Sequence, residues 1–360
     1  MSDSIIEEKK QEERKDLQLL WIGILFSIGF TVLIGFLGVA LPYGVVLLED
    51  KGATWYYWKL PAPQFWPIFT SWAFYLAHQI TIWYLTWKGM KKLKAKKPWQ
   101  STPDKVHYQV LAANLGFVIL HLVQSQIWYD GLAQTVPIWS SQFSVIGMLI
   151  LILVMMSPTR GWFWGKKLKI GKDAMKGMYK WHGYYITWAL VYTFWFHPMD
   201  TGIALTFGFF YMFLLLFQSS TFLMKVHLGR KWITLLEVIV WIHGTTVAIE
   251  SDYIRKASSS GISWPIFFFG FLGLFVFTQQ FGIIKKKWAN FLLLGIYIAL
   301  IVITYSIIGW DSVWQVVSIP MVEYLLIFVT WGLFALVPGL KKGRWKKKQS
   351  EAKMEVKSVS

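Results

Sequence analysis

One feature recurs down the whole chain: apolar runs of about twenty residues, long enough to cross the hydrocarbon core of a bilayer as helices. Ten such runs lie near 19–41, 64–87, 107–127, 137–157, 178–199, 202–224, 232–250, 262–281, 288–308 and 318–338. Lipid offers backbone N–H and C=O groups no water, so each run must satisfy its own hydrogen bonds, and a helix does this within one segment. The sequence therefore predicts an all-α fold, a polytopic transmembrane helical bundle of about ten spans. The polar segment "MSDSIIEEKKQEERKDLQ" ahead of the first run lacks the basic start and small-residue cleavage site of a signal peptide, so that run is expected to be retained.

Charges fall between the runs, and their sign alternates from loop to loop. "KGMKKLKAKK", "RGWFWGKKLKIGKDAMKGMYK", "KVHLGRK", "IIKKK" and "LKKGRWKKK" are basic. The intervening "LLEDKGATWYYWK", "WYDGLAQTVP", "HPMDTG", "ESDYIRKASSS" and "GWDS" are poor in cations and carry Asp or Glu. The positive-inside rule then places both termini in the cytoplasm, with the chain in the plasma (inner) membrane. A net charge of +17 would also suit nucleic acid, but cations confined to short inter-span loops orient helices and meet lipid headgroups instead. Trp and Tyr crowd the span ends, as in "TWYYWK" and "QIWYDG", and read as interfacial belts. The chain has no cysteine, which excludes disulfides, thiolate-held metals, iron–sulfur clusters and cysteine nucleophiles. No Walker loop, H-E-x-x-H or G-x-S-x-G is present.

Ionisable groups inside spans are uncommon and face the bundle interior, so the seven histidines each need a reason. His107 and His121 are fourteen positions apart, about 21 Å along a helix and roughly 40° apart in azimuth. His182 and His197 are fifteen apart, about 22 Å and roughly 60°. The third and fifth spans run parallel, so His107 and His182 share the cytoplasmic level while His121 and His197 share the outer one. Two stacked pairs of facing imidazoles are what two b-type haems need, one nitrogen on each face of a planar macrocycle. Ala112, Ala113, Gly116 and Gly183 are small enough to admit a porphyrin edge, and Lys105, Lys176 and Lys180 are level with the inner propionates. Polar residues satisfied across helices are the plain alternative. His227, in a Lys-rich loop, is expected to be exposed. His78 and His243 lie within spans, where they are expected to bond across helices, ligate a further metal or help proton transfer at a quinone site; Glu237 and Glu323, in or near apolar runs, are expected to relay protons.

"HYQVLAANLGFVILH" followed, after one span, by "HGYYITWALVYTFWFHP" resembles the transmembrane module of the ferric reductase-like superfamily, over roughly residues 64–224. Cytochrome b of quinol-oxidising complexes has nearly the same spacing. The resemblance implies axial haem ligation by His107, His121, His182 and His197, and transmembrane electron transfer. It divides the chain into a cytoplasmic tail (1–18), a six-span haem-binding module (19–224), four further spans (225–338) and a basic cytoplasmic tail (339–360) that meets anionic lipid. The flavin and nicotinamide module of the stand-alone reductases is missing, with no G-x-G-x-x-G after a strand pattern. The implied role is a membrane oxidoreductase or electron-transfer subunit fed by a quinone or a partner redox protein. The rival reading is a proton-coupled secondary transporter using intramembrane His and Glu.

Overall fold

Each apolar run becomes a helix, and the helix ends are set by local chemistry rather than by hydropathy. The structure, a computed structural model, describes residues 3–41, 44–48, 58–62, 64–94, 99, 101–167, 172–254, 256, 261–333 and 336. The helices are α1 (Asp3–Ala40), α2 (Phe65–Lys94), α3 (Lys105–Trp128), α4 (Ile138–Arg160), α5 (Lys172–Phe196), α6 (Ile203–Ser220) and α7 (Arg230–Ile249). α8 (Trp264–Leu274) continues through a π-turn, Phe275–Gln279, into α9 (Gln280–Ile283), followed by α10 (Lys287–Ile308). The last helix, α11, covers 315–333. Among the described residues there is no strand, only one isolated bridge between Phe163 and Lys166.

Among the described residues, eight helices are long and apolar enough to cross a membrane. α2 and α5 are as long, at 30 and 25 residues, but Trp, Tyr, His and Gln within them make the stretch less apolar. α1 begins at Asp3, so the segment expected as a tail is helical and continuous with the first span. The expected basic tail 339–360 lies outside the described residues.

α2 packs against both α3 and α5, and α6 against the same two from the other side. α3 and α5 therefore stand on the diagonal of a four-helix core filled by Leu190, Phe194, Trp195, Phe209 and Leu214. α1 lies outside α6, α4 outside α5, and α7 leads from α6 to α8. The connections sort by end. Trp99 N–H donates to the Leu223 carbonyl (2.8 Å), joining the α2–α3 connection to the turn after α6. At the opposite end Leu60 N–H donates to Gln134 Oε1 (3.0 Å), and Tyr129 Oη to Asp200 Oδ2 (2.7 Å). Basic loops thus meet basic loops at one end, and cation-poor loops meet at the other.

Candidate functional site

α3 presents a polar stripe to the core. His107, Asn114 and His121, seven residues apart, are all buried, so the shared face expected for the two histidines forms. What meets that face is different. His107 sits in the first turn of α3, where its Nδ1 accepts the Asp104 N–H (2.8 Å) while Asp104 accepts from Val106 N–H, a reciprocal N-terminal cap. Its Nε2–H donates to the Phe222 carbonyl (2.9 Å), tying α3 to the end of α6. His121 Nε2–H donates to the His197 carbonyl (2.8 Å), and its Nδ1 lies 3.3 Å from Gln124 Oε1. Its ring stands 4.2 Å from that of Trp195 and 5.0 Å from that of Phe194.

The partners on α5 depart from expectation. α5 ends at Phe196, so His197 is not a helical residue. Pro198 follows it, and a residue before proline is driven out of the α region. The fifteen-residue interval is therefore not a helical interval. The His197 ring packs edge-on against Trp58 at 5.0 Å. His182 remains in α5, with its Nδ1–H donating to the Tyr179 carbonyl one turn back (3.0 Å).

Two axial imidazoles must each point a nitrogen at an iron with a flat macrocycle between them. Here the Nε2 atoms of His107 and His121 are both engaged by backbone carbonyls, and aromatic side chains fill the diagonal from α3 toward α5. Ala112 and Gly116 turn away from the core, and a Cβ on Gly116 would meet nothing within 4 Å. The four residues in this arrangement do not fit a pair of haems. His121 and His197 are brought together through a main-chain bond.

A different constellation occupies the centre of the bundle. Trp195 Nε1–H donates to His78 Nδ1 (3.1 Å), and His78 Nε2–H donates to Asn114 Oδ1 (2.9 Å). Asn114 Nδ2–H then donates to Ser220 Oγ (2.9 Å), and Ser220 Oγ–H to the Leu216 carbonyl (2.7 Å). One chain of bonds thereby crosses α5, α2, α3 and α6. Every polar atom on the His78 ring is used, which fixes the neutral tautomer and locks the helix register. Asn114 had a legible signal in its spacing, midway between two histidines on one helical face. Trp195 and Ser220 had none.

The charged groups lie mainly outside this four-helix core. Arg160, the last residue of α4, pairs with Glu237 of α7 (2.5 Å), both largely buried. Arg160 Nη2 and Glu237 Oε2, the atoms outside that contact, lack a hydrogen-bond partner, as do Gln279 Oε1 and Gln280 Oε1 at the π-turn of the α8–α9 rod. Such π-turns recur at functional positions. Glu323, on α11, is 3% exposed, and its Oε2 has no partner. His243 of α7 leaves Nδ1 unpartnered and lies over Gly208 of α6, where a Cβ would stand 3.0 Å from its Cε1.

Two further titratable groups sit beyond the spans. Asp130, just past α3, is buried, and burial pushes its carboxyl up to about 7 although Gly131 N–H donates to it. His227 is not exposed as its Lys-rich loop suggested. It folds back on Gln218, donating to that carbonyl (2.9 Å) and accepting at its own carbonyl from Gln218 Nε2 (3.0 Å), and burial lowers its pKa to about 4. Among the described residues no group of three or more His, Asp or Glu is placed to hold a metal ion. No protein-family model, curated protein or solved structure matches the chain.

Proposed function

We propose that the chain is a ten-span plasma-membrane protein with both termini in the cytoplasm, and that it is a secondary transporter coupling proton movement to that of a second solute. The observation that carries this reading is Glu323: a carboxyl group on a membrane-length helix, almost wholly buried, with one oxygen unpartnered. An unpaired carboxylate is expensive in a low-dielectric interior, so the group holds a proton at rest and gives it up only when water or a cation reaches it. The Arg160–Glu237 pair supports the same reading, because a buried ion pair contributes little net stability and is better explained by use. The alternating loop charges support the orientation.

The test is proton flux into proteoliposomes carrying an internal pH dye, driven by a potassium diffusion potential. Wild type is expected to take up protons, and Glu323→Gln to slow uptake at least tenfold; equal rates for the two overturn the proposal. The same preparation decides the rival: reduced-minus-oxidised b-type bands at two haems per chain would replace the transporter with the electron-transfer reading.

A further inference from the structure

We infer that protons cross this molecule along the seam between α6 and α7, from the Arg160–Glu237 pair through Tyr211 to His243 and out beside His197. The inference deepens the proton-coupled reading and rests on it, but it names groups other than Glu323.

The ends of the line lie at opposite ends of the bundle. Arg160 closes α4 where the basic loops gather, and His197 follows α5 where Tyr129, Gln134 and Asp200 meet. Between them α6 and α7 pack against each other. Glu237 and His243 are six positions apart on α7, about 9 Å of helix rise. Tyr211 of α6 fills that interval. Its ring centroid is 6.2 Å from that of His243, and it stands within electrostatic reach of Glu237. His243 in turn lies within electrostatic reach of His197. Gly208 lets the imidazole close on the α6 backbone, since any side chain there would press on the ring.

Unused hydrogen-bonding capacity separates this line from the histidines of the four-helix core. His78 and His107 have both ring nitrogens engaged by protein groups, so neither accepts a proton without breaking a bond. Along α6–α7 the reverse holds: His243 Nδ1, Glu237 Oε2 and Arg160 Nη2 are buried without a hydrogen-bond partner, while Glu237 Oε1 meets Arg160. Buried polar atoms left open in this way are where single waters bind and bridge. A proton taken up by the Glu237 carboxylate, with Arg160 balancing the charge before it arrives, passes by way of the Tyr211 hydroxyl and bridging water to one nitrogen of His243. The imidazolium releases a proton from its other nitrogen toward the His197 end. One proton enters, one leaves, and no group changes oxidation state.

The experiment compares proton flux in proteoliposomes of wild type, His243→Ala, Tyr211→Phe and Glu323→Gln, with and without free imidazole. His243→Ala is expected to lower the flux at least tenfold, and added imidazole to restore a substantial part of it, because a small base can stand in for a proton carrier but not for a packing group. Tyr211→Phe, which keeps the ring and removes the hydroxyl, is expected to slow the flux without imidazole rescue. Flux in His243→Ala equal to wild type overturns the line while leaving the role of Glu323 to its own variant. A loss that imidazole does not relieve also overturns it, since the ring would then serve only to pack on Gly208; His243→Gln, elution-matched to wild type, guards against a misfolded Ala variant. A wild type that conducts no protons removes this inference and the transporter reading together.

Discussion

Asp130 and His227 lie near opposite ends of the molecule and respond to pH in opposite directions. The folded Asp130 carboxyl titrates near 7 against 3.8 unfolded, because burial disfavours its charge. The folded state therefore holds a proton that the unfolded chain has released, and the stability this contributes is lost as pH rises from about 4 through 7. Burial acts on His227 with the other sign, lowering it to about 4 from 6.5, so folding loses stability as pH falls across that interval. Thermal melts in detergent between pH 4.5 and 7.5 separate the two. Asp130→Asn is expected to remove the decline toward neutral pH, and His227→Gln the decline toward acid; an unchanged profile in either variant removes that residue from the account. Neither effect was legible in the sequence. His227 stands among lysines, and loop composition carries no trace of the Gln218 fold-back that buries it. The position of His107 and His121 on one buried face was legible, since helical periodicity alone fixes it, but the carbonyls that accept from their Nε2–H groups lie 115 and 76 positions along the chain.

At the scale of elements, hydropathy located every helix and misplaced several ends. The fifth run was read through His197, yet Pro198 stops α5 a residue earlier and turns a proposed ligand into a loop residue. The π-turn Glu250–Ile254 at the end of α7 left no periodic signature either, and it does work that a ladder of helical bonds does not. Its Glu250 accepts from Ala204 N–H in the first turn of α6, and its Asp252 accepts from Ser263 N–H (2.6 Å), Ser263 Oγ–H (2.6 Å) and Trp264 N–H (2.7 Å) at the start of α8. Neither Gly202 nor Ser263 caps its own helix by a side chain, so carboxylates from α7 satisfy the open donors and oppose the positive helix ends. Asp252→Ala is expected to destabilise the fold by about 1–2 kcal/mol, and Asp252→Asn by less, because an amide oxygen still caps. A melting temperature for Asp252→Ala equal to that of wild type would show that water replaces the cap without cost.

The whole molecule poses a question of parity. Among the described residues eight helices meet the apolar requirement for crossing, whereas ten are needed to alternate every basic loop with every cation-poor one. α2 and α5 decide between these counts. The chain just ahead of α2 is bonded through Leu60 to Gln134 beyond the far end of α3, and Trp99, after α2, is bonded to Leu223 beside the start of α3. α2 must then run the full length of α3 in the opposite direction, so if α3 crosses the bilayer, α2 crosses as well. The basic turns of α2 lie at one end only, where Lys91 stands over the Trp87 ring (5.5 Å) and long side chains reach the headgroups. A chain with no cysteine allows a direct test. Single cysteines at the exposed positions Lys91, Thr135, Lys287 and Asp311 are treated with an impermeant maleimide on intact cells. Ten spans predict labelling at Thr135→Cys and Asp311→Cys, with Lys91→Cys and Lys287→Cys protected until lysis. If α2 and α5 instead lay along the surface, Lys91 and Thr135 would exchange sides, while Lys287 and Asp311, each preceded by both helices, would keep theirs. Exchange at the first pair with constancy at the second would therefore remove two spans and invert α3 and α4 while leaving α6 onward as before, and it would put Arg160 and His197 on one side of the membrane, which ends the proton line.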